Sequence, residues 1–140
     1  MSCCCCAEKK VVQGERAPKA IGPYSLAIQA GQFVFASGQL GVNPETGELT
    51  EGGIEAETHQ ALQNVGNVLR MAGSGMVNVV KATVFLRDIN DFVRMNEVYA
   101  KFFPENPPAR SAFQVAALPR GAAVEIEVVA LIPRTNGDCD

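Results

Sequence analysis

Two apolar segments, residues 33–36 and 80–86, restrict the folds open to this chain more than any other feature. Both read as β-strands, and in both the two alternating faces are largely apolar. Because the side chains of a strand point alternately to opposite sides, a sheet that contains these segments must be covered on both sides. The chain supplies two helices, which cover one side. We therefore expect a second copy of the chain to cover the other, which predicts a homo-oligomer with sites at the subunit boundaries.

The remaining apolar periodicity predicts the element order. Apolar runs bounded by turn residues read as five strands, at residues 24–29, 33–39, 78–86, 109–115 and 124–131. Stripes of apolar residues spaced three and four apart predict a long helix over 54–72 and a second helix from Phe92 to Pro104. Residues 9–12 could add an edge strand. The order β-β-α-β-α-β-β favours an α+β fold, a mixed sheet with both helices on one face.

Length and charge indicate one domain without a nucleic-acid surface. A chain of 140 residues suggests a single domain, placed at 15–134 between a disordered cysteine-rich tail at 1–14 and a short tail at 135–140. The net charge of −3 argues against nucleic-acid binding, which usually needs a basic patch. No apolar run approaches the roughly 18 residues of a membrane helix, so no membrane partner is expected. We expect a cytoplasmic protein, or an organellar one if a transit peptide has been removed.

The five cysteines lie in the two tails, four of them consecutive at 3–6 and the fifth at Cys139. Adjacent cysteines are poor disulfide partners because the bond geometry is strict, and no second pair completes a zinc site. A reduced tail is the simplest interpretation, with acylation or membrane tethering, and metal or redox chemistry, as alternatives. The domain itself then has no cysteine to act as a nucleophile.

An arginine follows two prolines at the start of a predicted strand, in the sequence Pro107-Pro108-Ala109-Arg110-Ser111. The prolines keep the preceding backbone extended. Arginine stays charged, and its planar guanidinium matches a carboxylate with two parallel hydrogen bonds. Arg110 is therefore a candidate anchor for a carboxylate or phosphate, the alternative being a structural salt bridge to a core acid.

The last strand carries two acids, Glu125 and Glu127, on the face opposite its apolar residues. If that face is solvated, both acids are ordinary surface charges. If it is covered, one carboxyl is desolvated and its pKa rises unless Arg110 offsets the effect. A cation and a carboxyl on neighbouring strands would then bind a small anionic substrate and move a proton.

Weaker signals come from a tyrosine, a Ser-Gly pair and the only histidine. Tyr24 follows a Gly-Pro pair at the junction of a loop with a strand, where a core aromatic is the alternative interpretation. Ser37 and Gly38 end the second strand, and the glycine lets a ligand approach the backbone. His59 has no metal-ligating partner at a suitable spacing and is interpreted as a surface or packed residue. The motifs of nucleophile elbows, phosphate loops, dinucleotide sites and zinc proteases are absent, so we expect chemistry without a metal, cofactor or covalent intermediate.

Seven motifs, taken together and in order, closely resemble the RidA (YjgF-type) reactive-intermediate deaminases. They are AIGPYS at 20–25, SGQ at 37–39, NPETG at 43–47, VKATV at 80–84, DINDF at 88–92, PARS at 108–111 and EIE at 125–127. The resemblance covers about residues 17–132. It implies a chorismate-mutase-like α+β fold and a homotrimer with three clefts between subunits.

The resemblance also implies an activity. RidA-type proteins hydrolyse 2-imino acids or their enamine tautomers, such as 2-iminobutanoate and 2-iminopropanoate, to 2-oxo acids and ammonia, and they need no cofactor. These intermediates escape from pyridoxal-phosphate enzymes. The implied partners are thus a small imino acid and further copies of the chain.

Matching positions carry implied roles. Arg110 resembles the clamp for the substrate carboxylate, and Glu125 resembles the acid that places a water molecule and relays protons. The hydroxyl of Tyr24 would reach into the cleft. The other implied contacts with substrate or water are the strand end at Ser37 and Gly38, Phe92 and Asn96 on the second helix, and the backbone carbonyl of Ala112.

One position departs from the family pattern. Many members have a cysteine where this chain has Ala112, so a thiol at that position is not essential to the chemistry here. Two alternatives to a deaminase stay open: a non-catalytic trimer that binds small acids or acts as a chaperone, and a ribonuclease or translation inhibitor. The acidic net charge counts against the last of these.

Overall fold

The computed structural model describes residues 8–134, which form one six-stranded sheet and two helices. The strands are β1 (Lys9–Val12), β2 (Ala27–Ala30), β3 (Phe33–Leu40), β4 (Val79–Leu86), β5 (Ala109–Gln114) and β6 (Val124–Leu131). The helices are α1 (Gly53–Met71) and α2 (Phe92–Phe102). All five cysteines lie outside the described residues, and so do the predictions made for residues 1–7 and 135–140.

The strand order in the sheet is β1-β2-β3-β6-β4-β5. β4 and β5 are parallel and the other neighbours are antiparallel, which confirms the predicted mixed sheet. β1 is the predicted edge strand, so the stretch expected as a disordered tail joins the sheet from Lys9 onward. β5, which carries Arg110, forms the opposite edge of this sheet.

Both helices pack on one face of the sheet, as expected. Buried residues recur every three or four positions along α1, as at Ala61, Val65 and Leu69, and this stripe lies on β3 and β6. α2 packs beside α1. Strand residues that face the helices, such as Val84 and Ile126, are fully buried and form one core with the helix stripes. Within residues 8–134, no helix is long and apolar enough to cross a bilayer.

The other face of the sheet carries exposed apolar side chains. Phe33, Phe35, Phe113 and Leu131 are between 38% and 47% exposed. Aromatic pairs form there between Phe33 and Phe35 and between Phe85 and Phe113. Both helices lie on the opposite face and leave these rings uncovered. An exposed apolar patch of this kind is typical of a protein–protein interface, so the apolar second face that the sequence predicts is present.

Strand β3 contains a bulge close to the end that the sequence predicts for it. From Ala36 to Gln39 the chain advances three residues, while its partners on β6 advance two. The bulge spans Ser37 and Gly38, and β3 then continues to Leu40. The strand predicted over 33–39 is confirmed to within one residue, and the Ser-Gly pair forms a bulge inside it, because a strand can absorb one extra residue without leaving its sheet. Bulges turn neighbouring side chains and are common beside active sites.

The chain that follows β3 lies unusually close to α1. A methyl group on Gly41 would lie 2.6 Å from the Cα and O atoms of Glu57, so this packing requires glycine. The side-chain amide of Asn64 on α1 donates hydrogen bonds to the carbonyls of Leu40 (3.1 Å) and Val42 (2.8 Å). The helix therefore holds the end of β3 in place just beyond the bulge.

Candidate active site

Arg110 lies near the start of β5 and points to the helix layer. Its partner on β4 is Ala82, which is fully buried beneath the helices. Paired residues leave a sheet on the same side, so the half-buried Arg110 side chain extends toward α2. Ala112, two positions further on, faces the same way and packs against the core.

Three residues of α2 hold the guanidinium group of Arg110. Asn96 Oδ1 accepts a hydrogen bond from Arg110 Nη1 at 2.7 Å. The guanidinium carbon lies 5.5 Å from the centre of the Phe92 ring and 4.7 Å from that of Tyr99, both within cation–π range. Within residues 8–134 no carboxylate forms a salt bridge with Arg110. The structural ion pair considered from the sequence is therefore absent from this part of the chain, and the charge is available to an anion.

A second group of predicted residues lines a cleft beside the β3 bulge. Tyr24, Ser37, Gly38 and Glu125 all contribute to its wall, and its volume is about 890 Å³. Ser37 Oγ donates a hydrogen bond to the carbonyl of Ser25 at 2.6 Å. That bond ties the loop before β2 to the bulge and so brings the tyrosine and the carboxyl to one cleft.

Glu125 is half-buried in this cleft, and two effects raise its pKa. Burial is the larger, because it disfavours the charged form of the carboxyl. The neighbouring carboxylate of Glu127 raises the pKa further. The interpretation as an ordinary surface charge fits Glu127, which is exposed, but not Glu125. A carboxyl whose pKa is raised in this way is suited to take up and release a proton.

The Glu125 side chain packs directly on Gly38. A methyl group on this glycine would lie 2.8 Å from Cδ and 3.2 Å from Oε1 of Glu125. The sequence predicts that Gly38 makes room for a ligand, whereas within the chain this room is taken by the carboxyl group. Any larger residue would displace Glu125 from its position.

Tyr24 lies on the rim of the cleft with 51% of its surface exposed, so the interpretation as a core aromatic is wrong. Its hydroxyl oxygen accepts a long hydrogen bond of 3.4 Å from the backbone N–H of Ile21. The strand expected from Tyr24 begins only at Ala27, and residues 24–26 form an irregular segment of the cleft wall instead. The ring is open to a ligand in the cleft.

The two groups of residues lie on opposite faces of the sheet. Arg110 pairs with Ala82 beneath the helices, whereas Glu125 pairs with Phe85 on the open face. β4 lies between β5 and β6, so two strand spacings and a three-residue offset put the Cα atoms of Arg110 and Glu125 roughly 14 Å apart. The prediction that this cation and carboxyl lie on neighbouring strands is wrong, because β6 folds back between β3 and β4 and leaves β5 at the edge.

Sequence reasoning misses two residues of these groups. Tyr99 lies against the Arg110 guanidinium; burial raises the pKa of its hydroxyl, and the nearby Arg110 charge opposes that rise. Its spacing from Phe92 and Asn96 is the signal that would have found it, because all three fall on one face of a helix. Arg120 lines the cleft with a left-handed φ of 60°, and the sequence holds no signal for that role.

The single histidine is a surface residue, as predicted. His59 is exposed, and its ring packs edge-on against Phe102 with 5.3 Å between the ring centres. Within the described part of the chain, no three His, Cys, Asp or Glu side chains cluster as metal ligands would.

The fold and the two residue groups define a class of protein: a small α+β domain with an arginine held by neutral groups on one face of its sheet and a half-buried carboxyl of raised pKa on the other. The profile of the family described as Endoribonuclease L-PSP matches residues 14–132. The human protein named 2-iminobutanoate/2-iminopropanoate deaminase is 50% identical over 123 residues, which cover 88% of this chain and 90% of the relative. An Arabidopsis thaliana protein named Reactive Intermediate Deaminase A, chloroplastic, is 50% identical over 125 residues, which cover 89% of this chain and 67% of the relative.

Solved structures share the same fold. The crystal structure of E. coli TdcF with bound serine superimposes with a TM-score of 0.84 at 40% identity, covering 90% of this chain and 99% of TdcF. The chain thus belongs to the Endoribonuclease L-PSP family, and its resemblance to the RidA (YjgF-type) deaminases is confirmed.

Proposed function

We propose that this protein is a 2-iminobutanoate/2-iminopropanoate deaminase, a hydrolase that converts reactive 2-imino acids and their enamine tautomers into 2-oxo acids and ammonia. One observation carries the proposal. The guanidinium of Arg110 is fixed by neutral groups and, within residues 8–134, has no acid to neutralise it. The name and 50% identity of the human relative support the same activity. Residues 15–134 form the single catalytic domain in this proposal.

Arg110 binds the carboxylate that every 2-imino acid carries. Its remaining N–H groups form a forked pair of charge-assisted hydrogen bonds, which fix both the position and the plane of that carboxylate. Phe92 and Asn96 bound the same space on the α2 side. Holding a small substrate in one orientation removes much of the entropic cost of its reaction with water.

Glu125 accepts protons from water and returns them to the substrate nitrogen. The imine carbon is already electrophilic, so water adds to it once the water is placed and gives up a proton. The nitrogen gains that proton, which gives a carbinolamine, and it then gains the proton of the new hydroxyl group, so that the C–N bond breaks and ammonia leaves while the C=O bond of the 2-oxo acid forms. One carboxyl that first accepts and then returns a proton serves both steps. The carbonyl of Ala112 accepts a hydrogen bond from the water, and the Tyr24 hydroxyl completes the cleft.

Two subunits are needed to build such a site. Within one chain, Arg110 and Glu125 leave the sheet on opposite faces, roughly 14 Å apart at Cα, which is too far for one four-carbon substrate. We propose a homotrimer whose open sheet faces turn inward, burying the exposed apolar side chains of that face. Each of three clefts combines Arg110, Phe92, Asn96 and Ala112 of one subunit with Tyr24, Ser37, Gly38 and Glu125 of its neighbour.

The relatives favour a small acid as the ligand. TdcF was solved with bound serine, whose α-carboxylate is the group that Arg110 would hold here. We propose no nucleic-acid or membrane partner. For location we propose the cytoplasm, with an organelle as the alternative that the name of the chloroplastic relative supports.

An imine assay tests the proposal. A threonine dehydratase generates 2-iminobutanoate in solution, and the formation of 2-oxobutanoate is followed with and without the protein. We expect acceleration proportional to protein concentration above the spontaneous hydrolysis. Binding of 2-oxobutanoate without acceleration would instead identify a non-catalytic small-acid-binding protein, and cleavage of RNA in a parallel reaction would identify a ribonuclease.

A further inference from the structure

Tyr99 is a buried titratable residue for which the proposed reaction has no use. It is 6% exposed, and its hydroxyl has no hydrogen-bond partner among the described residues. Burying a hydroxyl without a partner is unfavourable, so the hydroxyl does not explain why a tyrosine suits this position. The aromatic ring explains the choice of residue, because its centre lies 4.7 Å from the guanidinium carbon of Arg110.

The Tyr99 ring is one of three neutral contacts to the same guanidinium. Phe92, Asn96 and Tyr99 follow one another at spacings of four and three, which places them on one face of α2. They offer the guanidinium two aromatic rings and one amide oxygen. We refer to these three residues as the holder.

The neutrality of the holder matters for anion binding. A carboxylate at position 96 would fix the guanidinium equally well, but the substrate carboxylate would then have to compete with it. Aromatic quadrupoles and an amide oxygen attract the cation without cancelling its net charge. The holder therefore fixes the plane of the guanidinium and leaves its charge and its other N–H groups for a ligand.

We propose that Tyr99 is a positioning residue for carboxylate binding, and that the uncharged holder keeps the Arg110 guanidinium in place without neutralising it. The inference rests on the proposed function in taking a small carboxylate as the ligand. Binding, not turnover, tests it, so the two proposals can fail separately. If the wild-type protein binds 2-oxobutanoate through Arg110 but does not accelerate imine hydrolysis, the function fails and this inference stands.

The first test removes the ring. The dissociation constant of 2-oxobutanoate is measured by titration calorimetry for the wild-type protein, Tyr99→Leu and Tyr99→Phe. We expect Tyr99→Leu to weaken binding about tenfold, since it removes one cation–π contact from a partly desolvated cation. Tyr99→Phe restores the ring and should recover most of the affinity. It should also unfold at a temperature no lower than the wild type, because it removes an unpartnered buried hydroxyl.

The second test introduces a negative charge into the holder. Asn96→Asp changes almost no volume but places a carboxylate against the guanidinium, and we expect it to weaken binding of 2-oxobutanoate by about tenfold or more. Asn67→Asp is the matched control, because Asn67 accepts a hydrogen bond from Arg70 on the surface of α1. It adds the same charge beside a different arginine and should leave the affinity near that of the wild type.

Several outcomes would overturn the inference. Wild-type affinity in Asn96→Asp would show that a charged holder serves equally well. Equal losses in Tyr99→Phe and Tyr99→Leu would assign the effect to the hydroxyl. Unaltered binding in Tyr99→Leu would remove the ring from the site. If Tyr99→Leu does not fold, Asn96→Asp still decides whether the holder must be uncharged, and a loss of affinity in Tyr99→Phe would still overturn the role of the ring, since both variants conserve the shape of the residue they replace.

Discussion

A guanidinium held by two rings and an amide oxygen keeps its full charge for a ligand. Arg110 has this environment, and within residues 8–134 it has no acidic partner. Arg94, which lies on α2 two residues from both Phe92 and Asn96, shows the contrast: its exposed guanidinium pairs with Glu55 and Asp91. Exposed ion pairs of that kind contribute little to stability. The two arginines therefore make a matched pair for mutagenesis.

Replacing Arg110 with alanine should lower kcat/KM for 2-iminobutanoate by at least about a hundredfold, or about 3 kcal/mol of transition-state stabilisation, because the substrate carboxylate loses its anchor. Arg94→Ala removes a surface cation and should stay close to the wild type. Steady-state rates in the imine assay measure both. A near-normal rate for Arg110→Ala would exclude this residue from the mechanism.

Replacing Glu127, the neighbour of Glu125, should shift the acid limb of the pH–rate profile. Glu127 raises the pKa of Glu125, so Glu127→Gln should lower that pKa. If ionised Glu125 accepts a proton from water, kcat/KM falls as the pH drops through its pKa. That fall should then occur at lower pH in Glu127→Gln than in the wild type. Glu48→Gln, exposed and outside the cleft lining, serves as the control; an unmoved limb in Glu127→Gln would argue against Glu125 as the base.

At the scale of elements, the end of β3 is positioned by a bulge and by contact with α1. The bulge at Ser37 and Gly38 turns the strand wall toward the cleft and lets the Glu125 carboxyl pack on the glycine. Beyond it, Gly41 lies against the α1 backbone. The position of Glu125 thus depends on the contact between Gly41 and α1, although none of the candidate site residues takes part in that contact.

Gly41→Ala should destabilise the fold by about 1–3 kcal/mol, because the added methyl group would force β3 and the α1 backbone apart. Gly75→Ala is the control. Gly75 has an extended φ of −175° and open space around it, so its variant should stay within about 0.5 kcal/mol of the wild type. Urea unfolding at one fixed subunit concentration measures both free energies of unfolding. Equal stability of the two variants would contradict the close packing at Gly41.

At the scale of the whole molecule, two features favour the association of several subunits: the exposed aromatic face of the sheet, and the placement of Arg110 and Glu125 on opposite faces. Phe33, Phe35 and Phe113 remain accessible on a sheet face that the helices leave open. Sedimentation equilibrium should give three times the chain mass of 14.9 kDa. A mass of one subunit would contradict the proposed trimer and leave Arg110 and Glu125 without a way to meet.

Subunit mixing tests whether the site is shared. Arg110→Ala and Glu125→Gln should each be nearly inactive alone. If each cleft takes its arginine and its carboxyl from different subunits, random 1:1 trimers regain activity. Three quarters of those trimers are mixed, and each mixed trimer has one intact cleft in three, so about a quarter of wild-type activity should return. A site built within one subunit would recover none, and co-refolding followed by the imine assay distinguishes the two outcomes.

The local features of this fold follow from the order of residues along the chain. The period of apolar side chains located both helices and the strands to within a few residues, and Pro107-Pro108 marked the start of β5. The motifs around Arg110 and Glu125 named the chemistry, and family comparison agrees with it. These features depend on neighbours a few positions apart, which is the range over which periodicity and backbone preference act.

Tertiary pairing decided the rest. Which strands lie side by side depends on contacts between distant segments, and here β6 enters between β3 and β4 and places Arg110 and Glu125 on opposite faces. The bulge at Gly38 and the stacking of Tyr99 on Arg110 likewise appear only when separate elements meet. The sequence alone therefore identified the candidate groups, while the packing of the sheet decided that a single subunit holds Arg110 and Glu125 on opposite faces.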